Sequence, residues 1–308
     1  MKISRILPPP LKPGDIIGIA AVAGQIRAPE LLYKGITIIR EMGFEVRFQR
    51  DLWPGSSYLA DSDANRAKEF NTLLRDPEVK AIIALRGGFG SLRILDRLEP
   101  SVLVQQPKFV VGFSDISILH SYLHQATGVV TLHGPVMTSL AGATPESLER
   151  LYRSLTGKWY SPVEMASLEI IVDGDSVERP VAGGNLASLV TLLGTPYDFP
   201  WRDRIIFLED INEPLYKIDR MLTQLEYAGK FDEAAGILLG DFSDPHEYDR
   251  IEHLRYIESI WTRVEEICSK RGVAVWANFP AGHTGRNLTF PLGATARMDK
   301  KSSTVFFS

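Results

Sequence analysis

Phe109-Val110-Val111-Gly112-Phe113-Ser114-Asp115-Ile116-Ser117 is the stretch that decides how this chain folds. An apolar strand over Phe109–Val111 runs straight into a tight turn, and a helix is predicted over Ile116 to Gln125. The same arrangement stands upstream. Ala81–Leu85 reads as a strand ending in Arg86-Gly87-Gly88-Phe89-Gly90, with a short helix over Ser91 to Leu98 after it. Nearer the amino end, Ile16–Ile19 and Phe44–Phe48 read as strands. Glu30 to Glu41 and Ser62 to Leu74 read as helices, the second capped by Asp61 or Ser62. Strand–helix alternation of this kind implies an α/β fold with a parallel sheet covered on both faces. Ligands on such sheets gather beyond the carboxyl ends of the strands, which singles out the loops 86–90 and 112–115 before any chemistry is considered.

The rest of the chain continues the alternation with a change of character. A helix is predicted over Pro145 to Leu155, followed by a polar, irregular passage, and 141–175 reads as a crossover between an amino-terminal domain (1–140) and a carboxy-terminal one (176–308). The second domain holds Gly183-Gly184-Asn185, a helix through Leu193 and the strand Ile205–Leu208 ending in Glu209-Asp210. Helices over Leu215 to Tyr227 and Ile251 to Ser269, and short strands at Ile237–Leu239, Ala274–Trp276, Ala296–Met298 and Thr304–Phe307, complete it. The length of 308 residues fits two domains at about 150 residues each. With 34 Lys+Arg against 38 Asp+Glu, the chain lacks the basic excess that binds nucleic acid. One cysteine makes neither an intramolecular disulfide nor a zinc cluster. The early apolar run Ile16–Gly24 is far shorter than the ~20 residues of a spanning helix. Pro8-Pro9-Pro10, Lys12, Pro13 and Asp15 interrupt the place where a signal helix would begin, so a cytoplasmic chain is expected.

Ser114 sits where a nucleophile elbow would lift a hydroxyl off the sheet, with the following amide aimed at a developing oxyanion. The usual elbow has a second glycine two residues after the serine, and Ile116 stands there instead. The competing reading is a serine or aspartate cap on the helix over 116–125. Among the six histidines, His120 and His124 lie at helical spacing without a third metal ligand, and read as partly buried helix residues. His133 precedes Gly134-Pro135 at a strand end and is placed to line a pocket. His246 and His253 lie in a polar, acidic segment that reads as solvated. His283 falls in the small-residue loop Pro280-Ala281-Gly282-His283-Thr284-Gly285 and is the best candidate base. Glu209 leaves an apolar strand that would hold a carboxylate rigidly, the task of the group that orients a catalytic imidazole; a strand-end ion pair is the plainer alternative. Asp210 should point to the opposite side.

The glycine loop fails as a dinucleotide fingerprint, because Arg93 occupies the last glycine position, and no P-loop lysine follows. It suits an oxyanion-binding turn, and Arg86 suits a substrate carboxylate or a structural ion pair. Cys268 aligns with Ile257, Ile260, Trp261, Val264 and Ile267 as a core residue.

Taken together, Arg86-Gly87-Gly88-Phe89-Gly90, Val111-Gly112-Phe113-Ser114-Asp115-Ile116-Ser117, His133-Gly134-Pro135, Gly183-Gly184-Asn185-Leu186, Leu208-Glu209-Asp210-Ile211 and Pro280-Ala281-Gly282-His283 resemble the LD-carboxypeptidase family. These are the murein tetrapeptide carboxypeptidases, relatives of the microcin C immunity proteins. The resemblance implies an amino-terminal flavodoxin-like domain and a carboxy-terminal swivelling β/α domain. It implies a triad of Ser114, Glu209 and His283, with oxyanion amides from Gly88 and Asp115 and substrate contacts around Arg86, Gly87, His133 and Asn185. It also implies no metal or cofactor, a muropeptide tetrapeptide as substrate, no nucleic-acid or membrane partner, and a cytoplasmic homodimer. A microcin-type peptide–nucleotide is the rival substrate, and a binding protein that kept the fold without the chemistry is the rival class.

Overall fold

Short apolar runs bounded by turn residues become buried strands, and stretches with apolar residues every three or four positions become helices laid on them. The computed structural model describes residues 4–48, 55–243 and 249–308; His246, with Asp244 and Glu247 of the same acidic segment, lies outside them. The chain forms two compact units.

The first unit comprises Met1–Tyr160 and the returning segment Gly285–Gly293. Its elements in order are β1 (Ile16–Ala20), α1 (Pro29–Glu41), β2 (Glu45–Arg47), α2 (Asp63–Arg75), β3 (Val79–Ala84), a 3-10 helix (Ser91–Arg97), α3 (Val102–Gln105), β4 (Phe109–Gly112), α4 (Ile116–Thr127), β5 (Thr131–His133) and α5 (Pro145–Arg153). Local signals set the helix starts. Pro29 opens α1, Ser62 caps α2 by accepting from Asn65 N, and Thr144 caps α5 by accepting from Ser147 N. The strands run in the order β5-β4-β3-β1-β2, all parallel, which is the flavodoxin-like order. Phe290–Leu292 adds an antiparallel edge beside β5, with Phe290 opposite His133. Ile17, Ile19, Ile82, Ile83, Val110 and Val111 fill the sheet at 0–1% exposure. Each contributes about 1.5–3 kcal/mol of apolar burial.

The second unit comprises Ser161–Thr284 and Ala294–Ser308. It contains β6 (Val163–Glu164), β7 (Glu169–Val172), β8 (Val177–Asn185), α6 (Leu186–Val190), β9 (Ile205–Ile211), α7 (Leu215–Tyr227), α8 (Lys230–Glu233), β10 (Gly236–Ser243), α9 (Arg250–Ser269) and β11 (Ala274–Ala277). After the return segment, whose strand Phe290–Leu292 is β12, follow β13 (Thr295–Asp299) and β14 (Thr304–Phe307). The sheet order is β6-β14-β13-β8-β9-β10-β11-β7. Its centre, β8 to β11, is parallel, and β13 and β7 flank that centre in antiparallel pairing. Asp249 caps α9 through Ile251 N and Glu252 N, and Cys268 is buried on that helix, where burial pushes its thiol up to about 12.

The passage expected as a crossover, 141–175, is divided between the units: α5 belongs to the first, and the edge strands β6 and β7 to the second. Strand β8 also begins well before the glycines at which the sequence signalled structure. Pro180 sits where β8 pairs antiparallel with β13, a tolerated place for a residue with no N–H to donate.

Candidate active site

The candidate residues fall into two groups, one in each unit. In the first, β3 and β4 are adjacent and parallel, so the loops at their carboxyl ends share one edge of the sheet. Ser114 takes the left-handed conformation, with φ of +62°, which a side-chain-bearing residue adopts at a cost of about 1–2 kcal/mol. Gly112 makes the turn possible: a Cβ there would stand 2.8 Å from the Ile116 side chain. The tightness that a second glycine would serve is met here at Gly112, with Ile116 packed over it. The chain turns directly into α4 through Ser117 N donating to Ser114 O at 2.9 Å. No side-chain bond caps α4, so neither Ser114 nor Asp115 serves that helix as a cap. Gly87 approaches the Ser114 hydroxyl so closely that a Cβ would lie 2.8 Å from Oγ.

The strand end under this turn is secured from below. The Gly112 carbonyl accepts from Gly134 N at 3.1 Å and pairs with His120 Nε2 at 2.9 Å. A carbonyl only accepts, so His120 carries its proton on Nε2. Burial drives the His120 pKa down to about 4 and keeps the ring neutral. His124 binds Val129 O through Nδ1, so the two helical histidines face separate backbone partners. His133 is fully buried, stacked on Phe290 at 4.9 Å with Phe113 edge-on at 6.0 Å. Its ring therefore belongs to the core beneath the loops and does not line an open pocket. Arg86 is half-buried. Its guanidinium donates to Gln25 O at 2.6 Å and has no carboxylate partner among the described residues, so the ion-pair alternative is absent there.

In the second unit Glu209 lies near the end of β9, between β8 and β10, at 0% exposure. Its Oε2 accepts from His283 Nδ1 at 2.6 Å. No lysine or arginine among the described residues competes for it, so the strand-end ion pair is not what Glu209 makes. With the proton on Nδ1, the neutral ring keeps its lone pair on Nε2, the nitrogen that takes a proton in general-base chemistry. Burial lowers the His283 pKa, but the carboxylates of Glu209, Asp210 and Asp241 outweigh it and hold the value above the ordinary one.

Asp210 points the other way, as alternation along a strand requires. It accepts from Asn185 Nδ2 at 3.0 Å and Ala187 N at 2.8 Å, and burial followed by the nearby Glu209 charge pushes it up to about 7. Asn185 caps α6: its Oδ1 accepts from Ser188 N and Oγ. Its amide is occupied in holding the β8–α6 turn to β9.

Asp241 was not singled out from the sequence. In β10 the pairing jumps from Leu239 opposite Leu208 to Phe242 opposite Asp210, so Gly240 and Asp241 together face Glu209. This is a β-bulge, a device common beside active sites. It frees Asp241 N to donate to Ala281 O at 3.0 Å, while Phe279 N donates to Leu239 O at 2.9 Å. The 279–283 loop is thereby tied to β10, which brings His283 to Glu209. A glycine inside a strand pattern was the one available signal.

Residues 17–134 match the LD-carboxypeptidase N-terminal domain and residues 178–298 match the LD-carboxypeptidase C-terminal domain. A probable murein peptide carboxypeptidase of Bacillus subtilis is 35% identical over 304 residues, covering 97% of this chain and 93% of the relative. Among solved structures, an MccF-like protein from Bacillus anthracis superposes with a TM-score of 0.86 at 25% identity, covering 98% of this chain and 99% of its own. A muramoyltetrapeptide carboxypeptidase from Oxalobacter formigenes superposes with a TM-score of 0.76 at 26% identity, covering 95% and 97%. The chain, a two-domain α/β peptidase, belongs to the LD-carboxypeptidase family.

Proposed function

We propose that this chain is a serine LD-carboxypeptidase that removes the terminal D-alanine from muropeptide tetrapeptides in cell-wall recycling. The observation that carries the reading is the buried His283–Glu209 pair at 2.6 Å, with Nδ1 as donor and no competing cation among the described residues. A second support is the strained, uncapped Ser114 with glycine amides beside it. In this mechanism His283 takes the Ser114 proton as the hydroxyl attacks the carbonyl of the scissile bond, and the Gly88 and Asp115 amides hold the oxyanion. His283 then protonates the departing D-alanine amine, and water releases the acyl-enzyme by the same route. Glu209 orients the imidazole and stabilises its cation. The guanidinium of Arg86, with no carboxylate partner among the described residues, is assigned to a substrate carboxylate. His133 and Asn185 are assigned to holding the loops in place rather than to touching substrate. A cytoplasmic location and a homodimeric state belong to the same proposal.

Purified protein should release D-alanine from a defined tetrapeptide, and Ser114→Ala should abolish that release with an unchanged circular dichroism spectrum. Retained turnover in Ser114→Ala would sink the assignment of the nucleophile. The likeness to an MccF-like protein favours one second reading, a peptidase acting on a peptide–nucleotide. Assaying a microcin-like aminoacyl nucleotide beside the tetrapeptide separates the two. Binding of either compound with no cleavage by wild-type protein would favour a non-catalytic role.

A further inference from the structure

The first unit contains a buried carboxylate that the mechanism above uses only through its backbone. Asp115 follows Ser114 in the nucleophile turn, yet its side chain is 3% exposed and leaves α4 uncapped. It reaches across to the neighbouring loop instead, where Oδ2 accepts from Ser91 N at 2.8 Å, and Ser91 is itself fully buried. Ser91 opens the 3-10 helix that follows Gly87-Gly88-Phe89-Gly90.

That glycine loop is fastened at three points. On one side Gly24 N donates to Gly87 O at 3.0 Å, and Gly24 lies so near Gly88 that a Cβ on Gly88 would meet Gly24 Cα at 3.3 Å. Beneath it the fully buried Arg66 donates from Nη1 to Gly90 O at 3.0 Å and to Val22 O, from Nε to Asp61 O at 3.1 Å and from Nη2 to Asp63 Oδ1 at 2.6 Å. The third fastening is Asp115. Of the three, only Asp115 belongs to the turn that carries Ser114. The first two fix the glycine loop to the loop after β1 and to α2; the third fixes it to the Ser114 turn.

We propose that the Asp115 carboxylate is a positioning residue that sets the separation between the glycine-loop amides and Ser114 Oγ, by bonding Ser91 N across the two loops. The role rests on the reading of Ser114 as nucleophile and deepens it. An oxyanion donor acts only when held at hydrogen-bond distance from the place where charge develops, and small displacements there are costly. Burial raises the Asp115 pKa, opposed first by the hydrogen bonds with Ser91 and then by the Arg66 charge.

Two measurements on the whole protein test this, both well below the melting temperature of each variant. The first is amide hydrogen exchange at residues 87–91. It should accelerate at least tenfold in Asp115→Ala and stay near wild type in Asp115→Asn, whose carbonyl still accepts from Ser91 N. The second is the rate at which a fluorophosphonate phosphonylates Ser114, forming the Oγ–P bond and expelling fluoride whatever the natural substrate is. It should fall on the order of 10–100-fold in Asp115→Ala and recover most of that loss in Asp115→Asn. Unchanged exchange in Asp115→Ala would overturn the fastening. Faster exchange with an unchanged phosphonylation rate would overturn the positioning role. Wild-type protein that never reacts with the probe would overturn the nucleophile reading, and the positioning role with it, while the exchange result would still report on the fastening separately.

Discussion

Glu209 shows how much one residue's surroundings decide. A carboxylate at a strand end ordinarily meets a lysine or arginine and contributes little; this one is wholly buried and bonded to an imidazole. Replacing Glu209 with Gln keeps the shape and removes the charge. Turnover should drop on the order of 10³–10⁴-fold, as when a triad carboxylate is neutralised elsewhere. The pH profile should also move. In the proposed mechanism catalysis needs neutral His283, whose pKa lies above the ordinary 6.5, so wild-type activity should fall as pH drops through that raised value. In Glu209→Gln the acid limb should shift to lower pH, and kcat/KM against pH is the check. The linked stability has the opposite sense: the ion pair contributes fully below pH 6.5, and that contribution is lost as pH rises through the raised value. Ser114, Glu209 and His283 were legible in the sequence as candidates because each follows an apolar strand or sits in a glycine loop. Asp241 was not, because a bulge arises from the pairing of β10 with β9 and leaves only Gly240 as a local trace.

Helix α4 is an element whose stability should depend on pH through one side chain. His120 is buried and neutral, with its pKa lowered to about 4 from 6.5. In the unfolded chain it binds a proton near pH 6.5; in the folded chain it resists until about 4. Stability is therefore lost as pH falls across that window, by about 2–3 kcal/mol for this group at the acid end. His120→Gln, which keeps a donor for Gly112 O without titrating, should show a shallower decline. The urea midpoint measured from pH 7 to 4 checks the difference in slope. Elements such as α2 and α7 were readable at nearly their full extent, since the Ser62 cap of α2 and the apolar periodicity of both are local to the segment. Strand β8 was not: Pro180 and the polar Glu178 and Arg179 argue against a strand, and the antiparallel pairing with β13 that supports them lies more than a hundred residues on.

Across the whole molecule, the chain passes between its two units three times, at Tyr160–Ser161, Thr284–Gly285 and Gly293–Ala294. The first passage falls within the polar segment that the sequence marked as a crossover. The return left no mark, since β12 is three residues long and its partner β5 lies far upstream. Further fastenings hold the return segment: Thr144 N and Ser147 Oγ donate to Gly285 O, and Arg286 pairs with Glu146. A fragment of residues 1–160 should lose this edge, together with the burial of Phe290 and Leu292. At about 1.5–3 kcal/mol for each side chain, it should melt roughly 10 °C or more below the same fragment carrying residues 285–293 on a flexible linker. Comparing the two by thermal scan and size-exclusion chromatography tests this, and equal melting temperatures would show the return segment to be dispensable.

The same return has a consequence for synthesis on the ribosome. Residue 133 leaves the tunnel long before residue 290, and at about 5–20 residues per second the interval is on the order of 10–30 s. Throughout it the outer side of β5 carries unpaired N–H and C=O groups, open to neighbouring nascent chains. The first unit must therefore wait, partly finished, for a strand translated long after the rest of its sheet.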